Sequence, residues 1–127
     1  MLDIKEDEFI KDVSNYTSLN DLYVIADLMI SDYSSTYFDY SILDRPMYCF
    51  AYDYEEYNEK RGLYLKLEDV LPCNINYNED DLLDEIILSN KDEYSLKTKK
   101  FHERFAPYAG NASQAIINEL EARLSIK

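Results

Sequence analysis

Residues 28–51 read LMISDYSSTYFDYSILDRPMYCFA, and this stretch decides the fold. Leu28 to Ile30 is a short apolar run ending at Ser31-Asp32, the length of a buried strand rather than of a helix. Tyr33-Ser34-Ser35-Thr36 then supplies the hydroxyl residues that open helices, with Phe38 and Ile42 one turn apart. Arg45-Pro46 stops that helix, because proline lacks an N–H and restricts the residue before it. Met47 to Ala51 reads as the next buried strand. Strand, helix, strand in this order predicts a parallel pair joined by a crossover helix.

The pattern extends in both directions. Upstream, Phe9 to Val13 suits a strand, Ser14 to Ser18 offers turn and cap residues, and Leu19, Leu22, Tyr23 and Ala26 recur with helical spacing. Downstream, Asp53 to Lys60 predicts a short polar helix closed at Arg61-Gly62, and Asn74 to Tyr77 an edge strand. Asn78 caps a helix with Leu82, Leu83, Ile86 and Ile87 on one face. Tyr94, Thr98, Phe101 and Phe105 stripe another, and Ala112, Ala115, Ile116, Leu120 and Leu124 a last one after Pro107 and Gly110. The expected fold is α/β, a Rossmann-like parallel sheet with helices on both faces. Residues 1–8 are a loose or truncated start and 9–127 one domain.

With 127 residues the chain supports one core. Its net charge of −13, with no dense basic stretch, argues against nucleic-acid binding. Cys49 and Cys73 lie in apolar runs without Cys-x-x-Cys spacing, which predicts reduced core thiols and a cytoplasmic chain. No apolar run reaches the roughly 18 residues of a membrane span. With only 2 glycines, neither a Gly-rich dinucleotide fingerprint nor a P-loop is present, so any phosphate site must be built another way.

In open parallel sheets, ligands bind beyond the carboxyl ends of the strands, where helix starts present unpaired amides. Ile30 to Thr36 spans such a junction, and Ser34 and Ser35 add two hydroxyls that can hold a phosphate without glycine or lysine. The plainer alternative is that one serine simply caps the helix. His102, the sole histidine, lies off the Tyr94–Phe105 stripe and reads as a solvated helix residue. The acidic clusters at Asp3–Glu8 and Glu79–Asp81 fit no liganding pattern, so neither metal nor cofactor is predicted. The tyrosines between Tyr33 and Tyr64 read as packing rather than as a stacking platform for a base.

The succession Asp12-Val13-Ser14-Asn15-Tyr16, Asn20-Asp21-Leu22-Tyr23, Ala26-Asp27, Asp32-Tyr33-Ser34-Ser35, Phe38-Asp39, Arg45-Pro46, Tyr52-Asp53, Tyr57 and Arg61-Gly62 is distinctive in its order and spacing. It resembles the C-terminal domain of the CDP-glycerol:poly(glycerophosphate) glycerophosphotransferases of teichoic acid synthesis. Gly110-Asn111-Ala112-Ser113 looks like the family's second glycine-containing helix start. The resemblance implies a glycosyltransferase-B arrangement of two Rossmann-like domains, the C-terminal one holding CDP-glycerol. It implies that Ser34 and Ser35, with Thr36 third, hold the donor phosphates, and that Gly110, Asn111 and Ser113 border the nucleotide. Asp39 and Arg61 fall in matching segments without an assigned contact.

Departures from the family pattern carry equal weight. The family's essential histidines, one of them in a His-Pro pair, have no counterpart here, so the general base is absent. The usual Pro-Gly-Pro is reduced to Leu71-Pro72-Cys73, and Ala109 stands where an aspartate is usual. Two readings follow. In one, the chain is the donor-binding portion of a bacterial transferase, inactive alone, that needs an N-terminal acceptor domain or subunit and meets the inner face of the cell membrane through it. In the other, it is a free-standing, non-catalytic α/β module that binds a nucleotide or a partner protein. In either case a truncated sheet would expose apolar surface and favour self-association.

Overall fold

The computed structural model describes residues 7–62 and 66–124 and, of Arg61, the backbone alone. Most of the expected loose start, residues 1–6, lies outside them. Among the described residues three strands, β1 (Met29–Ser31), β2 (Met47–Phe50) and β3 (Ile75–Asn76), form one parallel sheet in that order. Seven helices among the described residues surround it: α1 (Leu19–Ile25), α2 (Thr36–Tyr40, continued by a 3-10 turn over Ser41–Leu43), α3 (Tyr54–Arg61), α4 (Leu67–Val70), α5 (Glu79–Leu88), α6 (Lys91–Phe105) and α7 (Ala112–Leu124).

Side chains alternate between the faces of a strand, and β2 shows this directly. Met47 and Cys49 join Tyr37, Tyr40, Tyr54 and Phe101 in one cluster, while Tyr48 joins Leu82 and Tyr94 in another. Helices therefore cover both faces of the sheet, as the sequence predicts. α6 lies along the boundary, giving Tyr94 to one cluster and Phe101 to the other. Burying a side chain the size of Met47 contributes about 1.5–3 kcal/mol.

The many tyrosines are used for packing with a satisfied polar tip. The Tyr37 phenol donates to the carbonyls of Ser31 (2.8 Å) and Tyr48 (3.2 Å), clamping β1 to β2, and Tyr40 donates to Ala26 O at 2.9 Å. Polar residues do the same for β3. Asn76 Nδ2 donates to Cys49 O at 3.1 Å and to Glu85, whose carboxylate also accepts from Asn74 N and the Tyr94 phenol.

Local chemistry sets the helix ends. Ser18, Asn78 and Asn90 accept from first-turn amides of α1, α5 and α6. α1 has no basic residue in its last turn, so Arg45 supplies one from afar: its Nη1 donates to Val24 O (2.7 Å) and Ala26 O (2.6 Å). Asp44 reverses the chain before β2 in the left-handed conformation, φ 52°.

The structure corrects two expectations and adds one helix. Residues 9–13 form no strand. The Asp7 carboxylate accepts from Phe9 N and Ile10 N and that of Asp12 from Ser14 N, so local turns satisfy amides that a strand could pair only against a neighbour. Ile30, expected in a buried strand, is 47% exposed because β1 is an edge. The short helix α4 has no signature in the sequence pattern and follows residues 63–65, outside the described set.

Candidate functional site

Parallel strands bring their carboxyl ends to one edge of the sheet, here Ser31, Phe50 and Asn76. The turn after β1 carries the residues singled out from the sequence. Asp32 Oδ1 accepts from Ser34 N at 2.9 Å, and Ser34 Oγ accepts from Thr36 N at 3.3 Å. Ser34 thus provides the cap while its own hydroxyl proton is still able to donate. Ser35 occupies the N-cap position in helical conformation, makes no side-chain cap bond and is exposed. Thr36 points its hydroxyl elsewhere, sharing a 3.1 Å hydrogen bond with Ser31 Oγ.

The sequence reading missed Ser31, which sits at the end of β1 and fixes Thr36. Its only signal is its place five residues ahead of that threonine. Because α2 spans five residues, its dipole is small, and an anion here would rely on hydroxyls and amides.

A second turn closes over the first. The Tyr33 phenol donates to both carboxylate oxygens of Asp53 at 3.2 Å, and its ring stacks on Tyr57 with centroids 3.8 Å apart. Burial, the bond to Asp53 and the charges of Asp53 and Asp32 together push the Tyr33 phenol up to about 12. Asp32 and Asp53 make this edge acidic, so a phosphate needs a cation nearby. Arg61 ends α3, and its side chain lies outside the described residues.

The other predicted residues are placed separately. Gly110 turns the chain into α7 with φ 77°, Asn111 N donates to Tyr108 O at 2.9 Å, and Ser113 is exposed in the first turn of α7. Among the described residues no hydrogen bond or ring contact joins this turn to Ser34–Thr36. Asp39 is exposed on α2, and its charge adds to burial in raising the Tyr23 phenol. His102 is not simply solvated: its Nδ1 lies 3.2 Å from Asp44 Oδ1, tying α6 to the turn before β2. Cys49 is buried and Cys73 partly so, both unpaired, and burial pushes both thiols up.

The CDP-Glycerol:Poly(glycerophosphate) glycerophosphotransferase family matches residues 2–122. The chain belongs to this family. It is 40% identical over 126 residues to a teichoic acid glycerol-phosphate primase of Bacillus subtilis (strain 168), covering 98% of this chain and 32% of that protein. It is 39% identical to a teichoic acid glycerol-phosphate transferase of Staphylococcus aureus, covering 88% and 30%. The solved structure of the wall teichoic acid polymerase TagF superposes with a TM-score of 0.68 at 37% identity, covering 88% of this chain and 28% of that one. A variant of TagF soaked with CDPG gives 0.67. The chain therefore spans about a third of the length of these relatives. Among the described residues no helix is long and apolar enough to cross a membrane.

Proposed function

We propose that the chain is the donor-binding portion of a glycerophosphotransferase that adds glycerol phosphate from CDP-glycerol to a teichoic acid polymer and releases CMP. The observation that carries this reading is the Ser34–Ser35 pair. Within the family-matched region, it offers two donor hydroxyls at the carboxyl edge of a parallel sheet, one of them uncommitted. In this reading Ser34, Ser35 and the adjacent amides hold the diphosphate and stabilise the charge that gathers on departing CMP. Thr36 serves mainly to brace the turn through Ser31. Gly110, Asn111 and Ser113 border the nucleotide.

The base that deprotonates the acceptor hydroxyl comes from the part of the protein that the family's members carry beyond this span, as does peripheral contact with the membrane. That part also covers α7, where no residue is buried and Ile116, Ile117, Leu120 and Leu124 are exposed. In isolation copies of the chain pair through the same face.

Titration of the chain with CDP-glycerol, followed by amide chemical shifts, tests the reading. Shifts concentrated at residues 33–36 and around Gly110 are expected. Shifts that avoid both regions would overturn it, and would favour a non-catalytic module that keeps the family sequence as scaffold.

A further inference from the structure

The chain carries −13 overall, yet α6 holds five of its 13 basic residues, Lys91, Lys97, Lys99, Lys100 and Arg104, against three acidic ones. No other described helix is net positive. The sequence spacing is too loose to stand out as a basic run. The fold gathers three of these cations, Lys97, Lys100 and Arg104, along one groove of about 440 Å³ between α6 and the Leu71–Asn74 segment leading into β3.

Lys97 and Arg104 are held in place by aromatic rings, and two of the three cations, Lys100 and Arg104, are not neutralised. The Lys97 ammonium sits 4.3 Å from the Tyr94 ring centre and pairs with Glu93, while the Arg104 guanidinium lies 4.7 Å from the Phe105 ring centre. Among the described residues neither Lys100 nor Arg104 has a carboxylate within ion-pair distance. The one carboxylate lining the groove, Glu68, accepts from the Tyr54 phenol, and the Leu71–Asn74 wall is uncharged.

We infer that this groove binds a phosphodiester polymer of glycerol phosphate, the acceptor or product chain of the proposed reaction. This rests on that reading for the chemistry of the polymer. On α6, steps of three and four residues place the cations about 4.5 and 6 Å apart along the axis, a row that matches a linear polyanion rather than a single anion. A protein so acidic repels such a chain everywhere else, so a local cationic track is what allows it to dock. A bilayer fits less well. The cations line a recess floored by Phe101, 5% exposed, whereas the exposed large apolar side chains that would enter a membrane cluster on other helices such as α1 and α7.

The test is a titration of the chain with a synthetic glycerol-phosphate hexamer, glycerol 3-phosphate, CDP-glycerol, and phosphatidylglycerol vesicles in parallel, read by amide shifts and co-sedimentation. The hexamer is expected to shift residues 71–74 and 97–105, to bind at least tenfold more tightly than glycerol 3-phosphate, and to weaken as salt rises. Lys100→Glu with Arg104→Glu should abolish hexamer binding and leave the CDP-glycerol shifts at Ser34–Ser35 in place. Lys100→Ala with Arg104→Ala, expected to lower it at least fivefold, serves if the charge-reversed chain unfolds. Absence of hexamer shifts on α6, hexamer binding unchanged in the folded variants, or binding to vesicles alone would each overturn the inference. Loss of the CDP-glycerol shifts with hexamer binding intact would instead count against the donor site only.

Discussion

The phenol of Tyr33 bonds both carboxylate oxygens of Asp53, so one side chain fastens the turn after β1 to the turn after β2 at the edge where the donor is proposed to sit. Protonated tyrosine is the form that makes this bond. Because the native phenol is raised from 10.0 to about 12, its stabilising effect is complete below pH 10.0 and is lost as pH climbs through about 12. Asp53→Ala removes the bond and the nearest negative charge but leaves burial, so the Tyr33 ionisation should fall part of the way back toward 10.0. Carbon-13 titration of the tyrosine ζ-carbons reads this directly, and an unmoved Tyr33 midpoint would show that Asp53 contributes nothing.

The two serines should separate binding from stability. Ser35 makes no capping bond, so Ser35→Ala is expected to leave the unfolding midpoint unchanged while costing about 1.5–3 kcal/mol of CDP-glycerol affinity, the worth of a hydrogen bond to a charged group. Ser34→Ala should cost similar affinity and also about 0.5–1 kcal/mol of stability, because its oxygen serves the Thr36 amide. Isothermal titration beside urea unfolding distinguishes them. Equal stability losses in both variants would refute the assignment of the cap to Ser34.

Arg45 is expected to matter for folding rather than for ligand binding. Arg45→Met keeps an apolar stem but leaves the Val24 and Ala26 carbonyls at the end of α1 without their charged donor, at a cost of about 1–3 kcal/mol. Arg45→Lys should recover only part, since an ammonium does not reproduce the planar fork. Thermal unfolding of the pair against the parent chain measures both effects.

By itself the chain should release no CMP from CDP-glycerol and acceptor, because the histidine segments of the family have no match in it. It should also associate as concentration rises, with Leu120→Glu on α7 restoring a monomer. Sedimentation velocity across a wide concentration range checks the second point. Measurable turnover by the chain alone would overturn the first.

What the sequence revealed was governed by short-range chemistry. β1, α2 and β2 were legible because Leu28–Ile30 and Met47–Ala51 are apolar runs separated by hydroxyl cap residues and a proline. The caps of α1 and α5 were legible for the same reason. Phe9–Val13 misled because an apolar run looks alike whether or not a neighbouring strand exists to pair with it, and here the Asp7 carboxylate, two and three residues away, took the amides of Phe9 and Ile10. Ser34 and Ser35 could be found because they lie at a strand–helix junction. The Ser31–Thr36 bond, the Tyr33–Asp53 bond, the His102–Asp44 contact and the cationic row facing Leu71–Asn74 were not legible, since each depends on where the fold brings separate segments together.

The sheet's strand order follows the order of the chain, with Met29 opposite Met47 and Cys49 opposite Ile75. Each parallel pair must close a whole helical crossover before it forms, and the order of the strands lets assembly advance from one crossover to the next. The Tyr37 clamp between β1 and β2 sits at the first of these closures, and Asn76 locks the second. These strands can therefore reach their native pairing one crossover at a time, with Tyr37→Phe slowing folding and Asn76→Ala chiefly hastening unfolding.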